Sequence, residues 1–254
     1  MDGGEETALV TTGQEGCFRK VSLVAPDGRV YLWIGAEVDH RPPFFFWLKS
    51  AAKRRALARL KAAAAALRQA AAEEAAVFEA LAVPPGRGDY LSQRPDIVVR
   101  PYDAVLLAAF ATEAEARAWR DGPAAEGLMA GLRAEARAAD IALAVNGRRI
   151  GAVDHERPGV FLFNYFIAES RARNLAVWEH TAGWFQEKTG LDNSTLLVPQ
   201  AGEAIPQSVI NHCRWDRVRD ILPALIFRPS FRSFVLRAFA LNRTAAVPVL
   251  YRLA

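Results

Sequence analysis

The segment Val160–Ile167 reads Val-Phe-Leu-Phe-Asn-Tyr-Phe-Ile, apolar or aromatic throughout except for one asparagine. A run this short and this rich in aromatic and β-branched residues is a strand, and its lack of polar alternation means that both of its faces are covered. The residues after it supply one cover. Ser170–Lys188 has helical composition, with Ser170 placed as N-cap and Gly190 just beyond the last turn. Leu191–Val198 and Ser208–Trp215 read as two strands around a polar loop, and Arg217–Leu241 as helix interrupted at Pro223 and at Arg228-Pro229. Val247–Arg252 closes the unit. The order β, α, β, β, α, β is that of a ferredoxin-like α+β domain, in which two interlocked βαβ units form one antiparallel sheet with both helices on the same face. The opposite, apolar face then needs a second copy to cover it.

The preceding residues offer a more divergent version of the same order. Phe18–Ala25 and Arg29–Ile34 are β-rich and joined by Pro26-Asp27-Gly28, which is hairpin chemistry. From Trp47 to Leu81 the chain is Ala-rich and built from helix formers, stopped by Pro84-Pro85-Gly86. Ile97–Arg100 and Ala104–Ala111 are strand candidates. Thr112 is placed as an N-cap, with Glu113 and Glu115 in the first turn of a helix that runs, broken at Gly122-Pro123, towards Ala139. Ile141–Val145 with Asn146-Gly147 reads as a closing strand and its turn. The expected organisation is two ferredoxin-like units in tandem, 17–150 and 157–254, fused into a dimeric α+β barrel. A loose repeat supports duplication: Glu37-Val38-Asp39-His40-Arg41-Pro42 returns as Ala152-Val153-Asp154-His155-Glu156-Arg157-Pro158, each time before an aromatic run. Two Asp-His pairs joined in a metal site are the competing explanation.

Several function classes find no support. There is no GxGxxG, GxxxxGK, GxSxG or HExxH pattern, and the two cysteines, Cys17 and Cys213, stand in no metal-ligand spacing. The net charge of +4 is a mild excess. The one basic cluster, Lys49, Lys53, Arg54, Arg55, Arg59 and Lys61, alternates with Leu57 and Leu60 as the solvated face of an amphipathic helix does, without the aromatic stacking residues that nucleic-acid binding needs. No uninterrupted apolar stretch approaches the roughly 20 residues that span a bilayer. The acidic Met1–Glu6 start lacks the features of a signal peptide, so a cytoplasmic protein without nucleic-acid or membrane partners is expected.

Ser208-Val209-Ile210-Asn211-His212-Cys213-Arg214-Trp215-Asp216, Arg228-Pro229-Ser230-Phe231 and Val249-Leu250-Tyr251-Arg252 resemble the third strand, second helix and closing strand of the antibiotic-biosynthesis-monooxygenase group of dimeric α+β barrels. The resemblance covers residues 158–254. It implies a small apolar or aromatic molecule bound between helices and sheet, and chemistry that ranges over cofactor-independent oxygenation of phenols, polyketide cyclisation or isomerisation, heme degradation and binding without catalysis. Fold alone does not choose among these. The heme-degrading members place a ligating His on the second helix, near Val235 here, and no His occurs in 213–254. No metal or organic cofactor is therefore expected.

Strand periodicity defines the pocket. Leu162, Asn164 and Phe166 share one face of the first strand, and Phe161, Phe163, Tyr165 and Ile167 the other. Val209, Asn211, Cys213 and Trp215 point together, opposite Ile210, His212 and Arg214. The resemblance puts the ligand beside Asn164 and Trp215, with Asn211 and Cys213 on the same wall and Trp178 and Trp184 from the helix. A carboxamide inside an apolar strand is costly unless hydrogen-bonded, so Asn164 is the candidate for holding a substrate oxygen, with a neighbouring backbone group as its alternative partner. His180, beside the stripe Leu175, Trp178, Ala182 and Phe185, is the candidate proton shuttle at the rim, or else a boundary histidine. His212 points away from this pocket, towards the other half.

Overall fold

The structure, a computed structural model, describes residues 9–11, 13, 17–39, 46, 48–84 and 89–254. His40-Arg41-Pro42, Trp47, Pro85-Gly86 and the first six residues, singled out above, lie outside them. The elements are β1 (Val30–Glu37), α1 (Ala51–Ala70), β2 (Glu74–Ala82), α2 (Asp89–Ser92), β3 (Ala104–Phe110), α3 (Glu113–Arg120), α4 (Pro123–Arg133) and β4 (Ala138–Gly151). There follow β5 (Val160–Ala168), α5 (Arg171–Thr189), β6 (Ser194–Pro199), β7 (Val209–Trp215), α6 (Val218–Phe227), a π-helical turn (Phe231–Leu236), α7 (Arg237–Leu241) and β8 (Thr244–Leu253).

The eight strands close into an antiparallel barrel in the order β1-β3-β2-β8-β5-β7-β6-β4. Strands β4-β1-β3-β2 and β8-β5-β7-β6 follow one and the same order, and the pairs β2–β8 and β4–β6 join them. Closure leaves no strand edge unpaired. The helices lie outside, and the apolar residues fall into three groups accordingly. One layer sits under α1, α3 and α4, a second sits under α5 to α7, and an aromatic cluster that includes Trp33, Phe78, Phe161, Phe163, Tyr165 and Tyr251 fills the barrel. Thr112 makes a full capping box with Glu115, Ser170 caps α5 through the Arg173 amide, and Gly190 ends that helix in the left-handed region at φ 67°.

Four expectations for the first half need correction. Phe18–Ala25 forms no hairpin, because both edges of β1 are taken by β3 and β4. Apart from one bridge, Val24 to Arg149, this segment straps α5 instead. Phe18 packs on Phe234 with ring centroids 4.6 Å apart, and the Arg19 carbonyl lies so close to Gly183 that a Cβ there would come within 1.9 Å of it. Second, the Ala-rich stretch is not helical to Leu81: α1 stops at Ala70 and Glu74–Ala82 is a strand. Helix propensity differs by at most about 0.7 kcal/mol per ordinary residue, and β2 gains a ladder on each side while Phe78 fills the barrel. Third, Ile97–Arg100 has no strand partner among the described residues. Fourth, Ala139 is already in β4, which continues through Asn146-Gly147 to Gly151 with a register shift where a turn was expected.

Candidate functional site

Helix α5 lies on the outer face of β5 and β7 and presents Trp178, Thr181, Ala182 and Phe185 to it. The strands answer with Leu162, Asn164 and Phe166 and with Asn211, Cys213 and Trp215; Leu191 and Phe239 close the ends. Pairing puts Asn164 opposite Asn211, Leu162 opposite Cys213 and Val160 opposite Trp215. The enclosed cavity is about 20 Å³, room for about one water.

The polar groups around this cavity are nearly all committed. Trp215 Nε1 donates to Thr189 Oγ1 (3.2 Å), which donates to the Phe185 carbonyl (2.6 Å). Thr181 turns its hydroxyl back to the Val177 carbonyl (2.9 Å). Asn211 Oδ1 accepts from Ser194 Oγ (2.6 Å), and its amide nitrogen faces Cys213 Sγ at 3.7 Å. Burial pushes the Cys213 thiol well above its usual range, so it stays protonated and is neither base nor nucleophile. Asn164 differs from these. It is 7% exposed, and its Oδ1 has no hydrogen-bond partner among the described residues.

Two residues expected here lie elsewhere. Trp184 is fully buried but sits behind the cavity, where it donates from Nε1 to Ser230 Oγ (2.9 Å) and packs on Phe231. His180 is on the outward side of α5, in a separate cleft with Phe18, Arg19, Lys20 and Phe234. Two residues beyond Trp178 is about 200° round a helix, so His180 cannot reach Asn164 while Trp178 faces the sheet.

A polar constellation that periodicity could not assemble lies inside the barrel. His212 projects inward from β7 and stacks on Phe163 at 4.0 Å between centroids. Its Nε2 is 2.7 Å from Nε2 of His155, in the loop before β5, and His155 Nδ1 makes a short hydrogen bond to Glu74 at the start of β2. His212 Nδ1 faces the Leu162 carbonyl at 3.3 Å, an atom that only accepts. With His212 neutral, its proton is therefore on Nδ1. His155 Nε2 then donates to His212 Nε2. The outer end opens on a surface cleft lined by Arg29, Arg68, Glu74 and His155. The only hint in the sequence is Asp154-His155 in the loose repeat; nothing local marks Glu74.

Burial, and then the charge of His155, hold His212 well below the ordinary histidine value of 6.5. For Glu74 burial acts upward, but the hydrogen bond and charge of His155, with Arg29, outweigh it and set the carboxyl below 4.5. Both folded values lie under the unfolded ones, so the unfolded chain takes up protons first as pH falls, and stability is lost in that direction. Through these two groups the melting temperature should decline as pH falls below about 6.5, with a further loss below about pH 4.5. His212→Phe should remove the first decline. A wild-type profile flat through both ranges would contradict the protonation scheme.

Among the described residues, no group of three or more His, Cys, Asp or Glu is placed to hold a metal ion. Of the two Asp-His pairs, His40 lies outside the described residues, and Asp39 accepts from the Ser50 amide at 3.1 Å.

The fold and the sheet–helix cavity define a closed eight-stranded α+β barrel with helices on its outer face. No family model matches the chain, and no curated protein matches it in sequence. Solved structures do match in fold. An anthrone oxidase-like protein superposes over 92% of this chain and 94% of its own, with a TM-score of 0.62 at 9% identity. A protein from Fusobacterium nucleatum subsp. nucleatum ATCC 25586, provisionally described as a monooxygenase, covers 89% of this chain and 91% of its own, with a TM-score of 0.52 at 8% identity. At such identities the likeness is one of fold.

Proposed function

We propose that this chain is a monooxygenase-like enzyme that needs no cofactor, acting on an electron-rich aromatic molecule between α5 and the outer face of β5 and β7. The observation that carries the reading is Asn164, whose buried amide oxygen has no partner in a wall of Trp178, Phe166, Phe239 and Trp215. An unsatisfied buried acceptor costs about 1–3 kcal/mol, and a substrate hydroxyl would remove that cost by donating to Oδ1. Once the substrate ionises, the amide N–H groups can donate to its oxyanion instead. The fold relatives described as anthrone oxidase-like and as a monooxygenase agree with this chemistry. In the same reading the two matching sets of strands are a duplicated unit, and the second carries the site.

The resting cavity is too small for such a substrate, so the outer layer must open. The segment over it is suited to that. Pro223 sits inside α6, Arg228 breaks the helix with an extended backbone, and Phe231–Leu236 is π-helical, the kinds of irregularity at which helices bend. Anthrone is the natural first probe. Its oxidation to anthraquinone consumes one O₂ per molecule: the ring CH₂ becomes C=O with one oxygen atom, and its two hydrogens leave in water with the other. Purified protein should show oxygen uptake dependent on anthrone or a related phenol, without added metal or flavin.

The cavity's size favours a second reading, a binding module without turnover. Tight binding of the aromatic with no oxygen uptake would select it. Substrate consumption that persists without oxygen would point to cyclisation or isomerisation.

A further inference from the structure

Helix α6 is apolar on two sides. Ile221, Ala224 and Leu225 face the sheet and are buried. Val218, Ile226 and Phe227 face outward, at 41%, 37% and 77% exposure. Partly buried Leu222 lies between Val218 and Ile226 at four-residue spacing, so the outward residues form a stripe. The stripe is partly covered at Val218, Leu222 and Ile226 and most open at Phe227.

The uncompensated charge beside it is positive. Arg219 on α6, Arg228 after it and Arg232 in the π-helical turn are exposed, and none makes an ion pair or side-chain hydrogen bond among the described residues. Arg228 and Arg232 line one shallow surface depression with Ile226, Phe227 and Pro229. The nearby acids are engaged: Asp216 pairs with Arg214 at 2.9 Å, and Asp220 caps α6 by accepting from the Arg217 amide at 3.0 Å. The opposite case, arginines neutralised by neighbouring carboxylates, is seen elsewhere on this chain, at Arg55 with Glu135 and Arg243 with Glu169.

We infer that the outer face of α6 and the π-helical turn docks on an anionic phospholipid surface. Phe227 and Ile226 enter the headgroup–acyl boundary while the arginines contact lipid phosphates. A second copy of the chain fits less well, because a two-fold interface would set this arginine cluster against itself. Nucleic acid fits less well too, since Phe227 alone offers a stacking face. The contact is interfacial: α6 has ten residues, and no helix among the described residues is long and apolar enough to cross a membrane. The inference stands whether or not the chain turns over a substrate.

The test is co-sedimentation of the full chain with vesicles of phosphatidylcholine alone and of phosphatidylcholine mixed with phosphatidylglycerol. Binding should require the anionic lipid and weaken as salt shortens the screening length. Arg228→Gln with Arg232→Gln should lower affinity about 30-fold, at about 1 kcal/mol for each charge near the surface. Phe227→Ser should lower it about tenfold. Phe227 is exposed, so its variant should keep the wild-type melting temperature. No binding to the anionic vesicles overturns the inference. So does affinity unchanged in both variants, and so does a dimer in solution that Phe227→Ser splits while vesicles are ignored. Binding to soluble polyglutamate that matches vesicle binding and ignores Phe227→Ser would point to an acidic protein partner and overturn it as well.

Discussion

Asn164→Leu is expected to make the protein more stable and to cut its substrate-dependent oxygen uptake steeply. The two side chains are close in size, and leucine suits a site between Leu162 and Phe166 on a strand face packed by Trp178 and Phe239. The substitution removes a buried acceptor that has no partner at rest, a group that costs about 1–3 kcal/mol. For a chain of this size each kcal/mol moves the melting temperature by about 2–4 °C, so a rise of several degrees should be measurable by calorimetry. Under the proposed reaction the same change deletes the group that holds the substrate oxygen and its developing charge, and turnover should fall by about 10²-fold or more. Opposed signs in stability and activity are what a site kept at the expense of stability produces. A lowered melting temperature would mean that Oδ1 is satisfied in the folded protein. A raised one with turnover intact would take Asn164 out of the mechanism.

Lys53→Met should be the most damaging single change in the first half. Lys53 was expected on a solvated helix face with its basic neighbours, but it is 1% exposed and makes an ion pair with fully buried Asp103 at 3.1 Å. Its ammonium also lies 4.8 Å from the centre of the Phe46 ring. Removing one partner of a buried pair costs about 3–5 kcal/mol, because the other charge is left uncompensated. Here Asp103 still accepts from the amides of Val38 (2.6 Å) and Asp39 (3.1 Å), so a loss towards the lower end, about 3 kcal/mol, is expected. Making Asp103→Asn in the Lys53→Met background removes the stranded charge and keeps one acceptor, and should recover about 1 kcal/mol or more. Chemical denaturation of the four proteins of this cycle gives the coupling directly. Additive losses would mean that the two groups do not interact.

The cluster Lys49–Lys61 is solvated at every position of α1 but one. Arg55 and Lys49 engage Glu135 and Glu79, and Arg54 and Arg59 are exposed as an amphipathic helix requires. The exception is Lys53, on the seam with Ala56, Leu57 and Leu60. Its spacing of three, four and seven residues from Ala56, Leu57 and Leu60 puts it on that seam, where Arg54 is not. What the local pattern does not show is the carboxylate fifty positions away that pairs its ammonium.

The residues alone determined the sidedness of β5 and β7. Side chains alternate with a period of two, so an almost wholly apolar strand carrying one amide had to present Asn164 with Leu162 and Phe166, and His212 had to face the other way. The capping residues Thr112, Ser170 and Gly190 were legible for the same local reason. Tertiary structure alone decided that Glu74–Ala82 would be a strand, that Lys53 would meet Asp103, and that Glu74, His155 and His212 would converge inside the barrel. The strand and the Glu74, His155 and His212 contacts depend on how the two halves are brought into register when the β2–β8 and β4–β6 ladders close, and the Lys53–Asp103 pair on the packing of α1 over β3. Propensity and periodicity act over a few residues, whereas the energies that settle these contacts, desolvation and long-range backbone pairing, exist only once the barrel has closed.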